Sequence, residues 1–165
     1  MFRKAIALSI VVLAVLIGCT RSSDRPTKAA STDAPNFKLQ DTNGKTVQLS
    51  DLKGRPVVLD FWATWCQPCR DSIPGMVKLH KDYADKGLVI LAISVDGGAV
   101  ADIRNFQKQQ GMNYTVLMGT EEVAAEYGVR TIPMMIIVDK AGKVHKRYLG
   151  AGNEDDIEKT VKQLL

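Results

Sequence analysis

Asp60-Phe61-Trp62-Ala63-Thr64-Trp65-Cys66-Gln67-Pro68-Cys69 reads as the end of a buried strand, a short aromatic loop, and a Cys-Gln-Pro-Cys run that opens a helix. Two cysteines three positions apart on a first helical turn can close an intramolecular disulfide. The first of them sits where unpaired backbone N–H groups and the helix dipole favour an anion. A thiolate is an anion, so this position lowers the thiol pKa and makes Cys66 a candidate nucleophile near neutral pH. Cys69, one turn further in, is expected to be the more shielded, resolving thiol. A structural zinc site would need a second cysteine pair or histidines at ligand spacing. The remaining cysteine is Cys19, and His80 and His145 fall at no such spacing, so no metal and no cofactor beyond the disulfide is expected.

Working outward, Pro56 to Phe61 is a continuous apolar strand with one acid, Asp60, and so belongs at the centre of a sheet. An acid in such a strand is costly to ionise, which points to a raised pKa or a role. Upstream, Phe37-Lys38-Leu39 and Thr46-Val47-Gln48-Leu49 alternate around Asp41-Thr42-Asn43-Gly44, a hairpin signature. Ser50 to Gly54 is a short turn.

Downstream, the helix after Cys66 carries Ile73, Met76, Val77, His80, Tyr83 and Ala84 on one face, with Pro74 expected to kink it and Gly87 to end it. Leu88 to Val95 is a second buried strand. Gly97-Gly98 opens a helix with Val100, Ile103 and Phe106 inward, closed by Gly111. Tyr114 to Leu117 is a short strand, and Thr120 caps a helix that ends before Gly128. Pro133 to Val138 and Val144 to Leu149 are strands joined by an Asp139–Gly142 turn, with Met134 and Met135 read as core. Asn153 caps a last helix with Ile157, Val161, Leu164 and Leu165 inward. Alternating strands and helices with a closing hairpin imply a mixed α/β sheet covered by helices.

The ends and the charge set the context. Arg3 and Lys4 precede an apolar run, Ala5 to Ile17, of 13 residues. That is shorter than the ~20 of a spanning helix and suits a signal peptide. Thr20 to Pro35 is rich in Ser, Thr, Ala and Pro, and reads as a flexible tether of roughly 20–25 Å mean span. Removing Arg3 and Lys4 from the 22 Lys and Arg leaves 20 against 18 acidic residues. With no basic cluster carrying aromatics, nucleic-acid binding has no support.

Val58 to Cys69, with Ala34-Pro35-Asn36-Phe37 upstream, resembles the active-site segment of the thioredoxin superfamily, and most of all the membrane-tethered TlpA/ResA-type thiol–disulfide oxidoreductases. The resemblance runs over residues 34–165. It implies a thioredoxin fold with an N-terminal β-hairpin and an inserted helix–strand unit over residues 36–165. Leu16-Ile17-Gly18-Cys19 resembles a bacterial lipobox, which implies a signal peptide over 1–18, lipid on Cys19, and a tether over 19–35. The resemblance to thioredoxins further implies Asp60 as proton acceptor for the buried thiol, and Thr131-Ile132-Pro133 as a cis-proline loop. There Pro133 keeps metal-binding side chains off the thiols and the Ile132 backbone pairs with an extended substrate, with Trp65 on the docking surface.

The expected partners are protein thiols and disulfides and a membrane electron donor of the thiol–disulfide type. The expected location is extracytoplasmic, and the expected direction is reduction. Some positions depart from the patterns of relatives. Ser72 stands where ResA-type proteins often carry glutamate, so a role in cytochrome maturation is not carried over. Ala63 and Leu59 stand where peroxiredoxins need Thr or Ser and Pro. A thiol-dependent peroxidase and a Cu(I) metallochaperone using the CxxC sulfurs are the alternative functions.

Overall fold

The computed structural model describes residues 32–165. A small antiparallel hairpin, β1 (Lys38–Gln40) and β2 (Thr46–Gln48), precedes β3 (Val57–Trp62) and α1 (Gln67–Tyr83). There follow β4 (Val89–Ser94), α2 (Val100–Gln109), β5 (Thr115–Met118), α3 (Glu121–Glu126), β6 (Met134–Val138), β7 (Val144–Leu149) and α4 (Glu154–Leu164). Strands β3 to β7 form a five-stranded sheet of order β5-β4-β3-β6-β7. β3 is the middle strand, parallel to β4 and antiparallel to β6, and buried at every residue. Burial on both faces is why it reads as an unbroken apolar run.

Side chains alternate along β3 and divide the core into two layers. Val58 and Trp62 point into a layer that α1, α2 and α4 cover through Ile73, Met76, Ile103, Ile157 and Val161. Val57, Leu59 and Phe61 point the other way, into a layer closed by the hairpin and α3 through Phe37, Leu39, Val123 and Tyr127. By the same alternation Asp60 lies on the α1 side. The inserted unit is α2 and β5. Its strand also anchors the hairpin, through an Asp41–Leu117 bridge and the Thr42 N–H donated to the Val116 carbonyl at 3.1 Å.

Several local expectations are corrected. The buried face of α1, which carries Pro74 inside it, also takes Ser72 and Leu79, while Val77, His80 and, just past its end, Ala84 are half-buried. His80 rests edge-on against Tyr114 with ring centroids 6.0 Å apart. α2 begins at Val100 rather than at the Gly97-Gly98 pair, and Val100 is exposed, because the helix meets the core only from its second turn, at Ile103 and Phe106. Asn153 holds the N-cap position of α4 without a capping hydrogen bond. Its amide turns back and donates to the Gly150 carbonyl at 2.8 Å. The Ser50–Gly54 turn is a short 3-10 helix, Leu49–Leu52. Residues 32–35, expected within the tether, lie on the domain: Val144 N–H donates to the Thr32 carbonyl and Ala34 N–H to the Gly142 carbonyl, both at 2.9 Å. Cys19, the signal-peptide segment and the rest of the tether fall outside the described residues.

Candidate active site

The C-terminal ends of β3 and β4 lie side by side, with Trp62 opposite Ser94. The loop that leaves β3 is held there by a carboxylate. Asp96 accepts the Thr64 N–H at 3.0 and 3.1 Å, the Thr64 hydroxyl at 2.7 Å and the Ser94 hydroxyl at 2.8 Å. This clamp fixes Ala63-Thr64-Trp65 and leaves the Trp65 side chain in solvent, 71% exposed. No motif in the sequence singles out Asp96. The one signal for it was an acid directly after a buried strand, in Ser94-Val95-Asp96.

Cys66 is the N-cap residue of α1, with extended backbone angles. Pro68 in the first turn gives up an N–H that has no helical acceptor. Cys66 and Cys69 form a disulfide, with their sulfurs 2.15 Å and their Cα atoms 5.3 Å apart. The Cys66 sulfur also accepts the Cys69 N–H at 3.3 Å. That donor is one of the orphan N–H groups of the helix start, so a thiolate released at Cys66 meets a hydrogen-bond donor already aimed at it. Exposure scarcely separates the two cysteines, at 6% for Cys66 and 4% for Cys69. Access does: Cys66 lines an open cavity of about 630 Å³, and Cys69 is not among its walls.

That cavity is mostly apolar, walled by Trp65, Val95, Val129 and Ile132, with Arg130 and Gln67 as polar groups. The structure therefore brings Trp65, Cys66 and Ile132 to one surface. The Ile132–Pro133 peptide bond is cis. Pro133 is buried and directly precedes β6, whose Met134 pairs with Phe61 of β3.

Asp60 is set apart from this surface. It is 5% exposed, between Ala92 of β4 and Met135 of β6, and its Oδ1 has no hydrogen-bond partner among the described residues. Burial pushes its pKa up to about 7, and the charge of Glu154 adds to the rise. Cys69 belongs to the same core layer, under α1. Ser72, one turn along, is buried and donates weakly to the Pro68 carbonyl at 3.4 Å. Among the described residues no group of three or more His, Cys, Asp or Glu gathers as a metal-ligand cluster, and no helix is long and apolar enough to cross a membrane.

Residues 30–147 match the model of the AhpC/TSA family. The chain is 41% identical over 126 residues to the thiol-disulfide oxidoreductase ResA of Bacillus subtilis (strain 168), covering 76% of this chain and 70% of that one. Its fold is similar to a crystal structure of a thioredoxin-family thiol:disulfide interchange protein from Chlorobium tepidum TLS, with TM-score 0.74, 32% identity, and coverage of 82% and 97% of the two chains. It is also similar to the exposed lipoprotein thioredoxin of Streptococcus pneumoniae strain TIGR4, with TM-score 0.70, 35% identity, and coverage of 79% and 100%.

Proposed function

The chain belongs to the AhpC/TSA family and is a thioredoxin-fold thiol–disulfide oxidoreductase, and from that premise we propose that it is a membrane-tethered, extracytoplasmic reductant of disulfides in exported proteins. The observation that carries the reading is the position of Cys66, at once the N-cap of α1 and a wall of the cavity, in covalent contact with Cys69.

In the reduced protein the Cys66 thiolate attacks one sulfur of a substrate disulfide. A Cys66–substrate bond forms and the other substrate sulfur leaves as a thiolate. Cys69 then attacks the Cys66 sulfur, the second substrate thiol leaves, and the Cys66–Cys69 disulfide is restored. Asp60 takes the proton of Cys69 in this second exchange. Trp65 and the cavity receive the chain around the substrate cysteine, the Ile132 backbone pairs with it in extended form, and Pro133 keeps metal-binding side chains off the sulfurs. No cofactor beyond the dithiol takes part, and a thiol–disulfide donor in the membrane returns the electrons.

The anchor reading rests on Leu16-Ile17-Gly18-Cys19 behind a short apolar run. The similarity to a lipoprotein thioredoxin of S. pneumoniae supports it. The mature protein is expected in the membrane fraction with acyl mass on Cys19, and a soluble mature form with an unmodified Cys19 would overturn the anchor.

The catalytic assignment is tested by trapping. Cys66→Ser should abolish reduction of a model protein disulfide, whereas Cys69→Ser should accumulate a mixed disulfide with substrate through Cys66. Faster alkylation of Cys69 than of Cys66 in the reduced protein reverses the roles. Efficient peroxide consumption would favour a thiol peroxidase, a reading that the apolar, fully buried Ala63 beside the loop does not favour. Tight Cu(I) binding lost in Cys66→Ser, with no disulfide reduction, would favour a metallochaperone.

A further inference from the structure

The described arginines differ in one respect. Arg55 donates to the Gly87 carbonyl at 2.9 Å, Arg104 to the Thr42 carbonyl and Arg147 to the Tyr127 carbonyl at 2.7 Å. Arg70 lies over the Phe106 ring, 5.6 Å from its centroid. Arg130 alone is left without a salt bridge, a side-chain hydrogen bond or an aromatic ring among the described residues, although Glu126 is close by in the chain. Its place is the wall of the cavity beside Cys66, where it is the one charged residue among apolar neighbours such as Trp65, Val95 and Ile132. An arginine held for the fold would be expected to carry the partners that the other four have. This one presents its donors to whatever enters the cavity.

The apolar surface continues past the cavity. The large hydrophobic side chains exposed among the described residues are Trp65, Val100 and Leu149. Trp65 follows β3 and Val100 opens α2 after β4, so both stand at the carboxyl ends of two parallel strands. Leu149 pairs with Met134, the residue after Pro133, and because β6 runs antiparallel to β3 its start lies at that same end. Single exposed apolar residues are ordinary. Here they gather at the end of the sheet that carries Cys66, around a cavity with one unengaged cation.

We propose that Arg130 is a specificity-determining residue: it selects extended substrate segments that carry a carboxylate, beside an apolar residue, next to the redox cysteine. The proposal rests on the reading of the protein as a reductant of protein disulfides. The planar guanidinium matches a carboxylate with two parallel donors. Apolar walls keep water from screening the pair as fully as it would on an open surface. The apolar rim supplies contact area for the rest of the segment but no preference in charge, so discrimination falls to Arg130. The chemistry of the first exchange is unaltered. The Cys66 thiolate bonds the substrate cysteine sulfur, the bond of that sulfur to its partner breaks, and the partner leaves as a thiolate with the electron pair. Arg130 takes no proton and forms no bond in it. It holds the segment while the sulfurs meet.

The test uses synthetic peptides with one cysteine, activated as a mixed disulfide with an uncharged thiopyridyl group. That group is the better leaving thiol, so Cys66 attacks the peptide sulfur and the released thiopyridine reports the first exchange. The peptides differ at one position at a time on either side of the cysteine, which carries Glu, Gln or Lys. With the reduced wild type at low salt, the second-order rate constant for the best-placed Glu peptide should exceed that for its Lys counterpart by about fivefold or more. The preference should shrink at high salt. Arg130→Gln should bring the Glu and Gln peptides together, and Arg130→Glu should invert the order so that Lys is preferred. A merely structural Arg130 would change all the rates alike and leave the order in place. Equal rates for Glu and Lys at every position in the wild type overturn the proposal, as does a Glu preference that survives Arg130→Glu. The reading beneath it fails separately: if the reduced protein attacks the activated peptides but leaves a disulfide-bonded model protein intact, the protein is not a reductant of protein disulfides, whichever charge it prefers.

Discussion

On the hairpin side of the sheet, Tyr127 is buried among Phe37, Phe61 and Leu59, and its hydroxyl donates to the Pro35 carbonyl at 2.6 Å. On the α1 side, Asp60, Trp62 and Tyr114 are buried about as deeply, yet Asp60 Oδ1, Trp62 Nε1 and the Tyr114 hydroxyl have no partner among the described residues. A buried polar atom without a partner costs roughly 1–3 kcal/mol, and most such atoms in folded proteins are paired. Here the deficit sits on the face that carries Cys66 and Cys69. The hairpin side is built for stability. The α1 side gives some up, and for Asp60 the return is a carboxyl group that can exchange a proton near neutral pH.

The sharpest way to break this contrast is Asp60→Asn. The folded-state pKa of about 7 lies above the value of 3.8 for a free carboxyl. Below pH 4 Asp60 is neutral in both the folded and the unfolded chain and costs nothing. Between pH 4 and 7 the unfolded chain ionises first, so stability is lost as pH rises, and above 7 the loss is complete and constant. Oxidised Asp60→Asn should therefore exceed the wild type by on the order of 4 kcal/mol at pH 8, with the advantage shrinking toward pH 4. Denaturant melts at the two pH values read this directly. A difference that does not vary with pH would place Asp60 in water, as an ordinary strand-end acid.

A smaller effect is expected at the edge where the two faces meet. The polar groups that hold the disulfide loop are satisfied, because Asp96 takes every donor that Thr64 and Ser94 offer it. Asp96→Ala orphans the Thr64 N–H and hydroxyl. It should cost about 2 kcal/mol, the range for hydrogen bonds to a charged group, and slow the first exchange severalfold by loosening Trp65 and Cys66. Asp96→Asn, which keeps one acceptor oxygen, should fall between. Full activity in Asp96→Ala would show that the loop holds its shape without the clamp.

The same comparison separates what the sequence made legible from what it did not. The central strand with its single acid, the CxxC at a helix start, the Asn-Gly hairpin and the Asp139–Gly142 turn are local patterns, and each was readable from neighbours in the chain. The cis bond before Pro133 was readable only through resemblance. Asp96 and Glu154 meet residues far away in sequence. The Thr64–Asp96 contact exists because β3 and β4 run parallel and end together, and the Glu154–Gly75 contact because α4 packs on α1. Neither leaves a periodicity to read. The exposure of Val100 and the missing cap bond of Asn153 have the same root. Helix spacing marks a face, but where along a helix the core begins, and which carbonyl an amide meets, are set by tertiary placement.

The finest test exchanges a single hydroxyl on each side. Tyr127→Phe deletes a donor that has a partner, and should lose about 1 kcal/mol, the net worth of an ordinary hydrogen bond. Tyr114→Phe deletes a hydroxyl that burial strips of solvent and that no protein atom replaces, so it should be neutral or raise stability by up to ~1 kcal/mol. Both rings keep their packing, Tyr127 against Phe37 and Phe61, and Tyr114 against His80. The apolar contribution therefore cancels in each pair of melts and the sign of the difference carries the result. If Tyr114→Phe costs as much as Tyr127→Phe, the Tyr114 hydroxyl is bonded to water in solution. The α1 side is then not short of partners at that position, and the contrast between the faces narrows to Asp60 and Trp62.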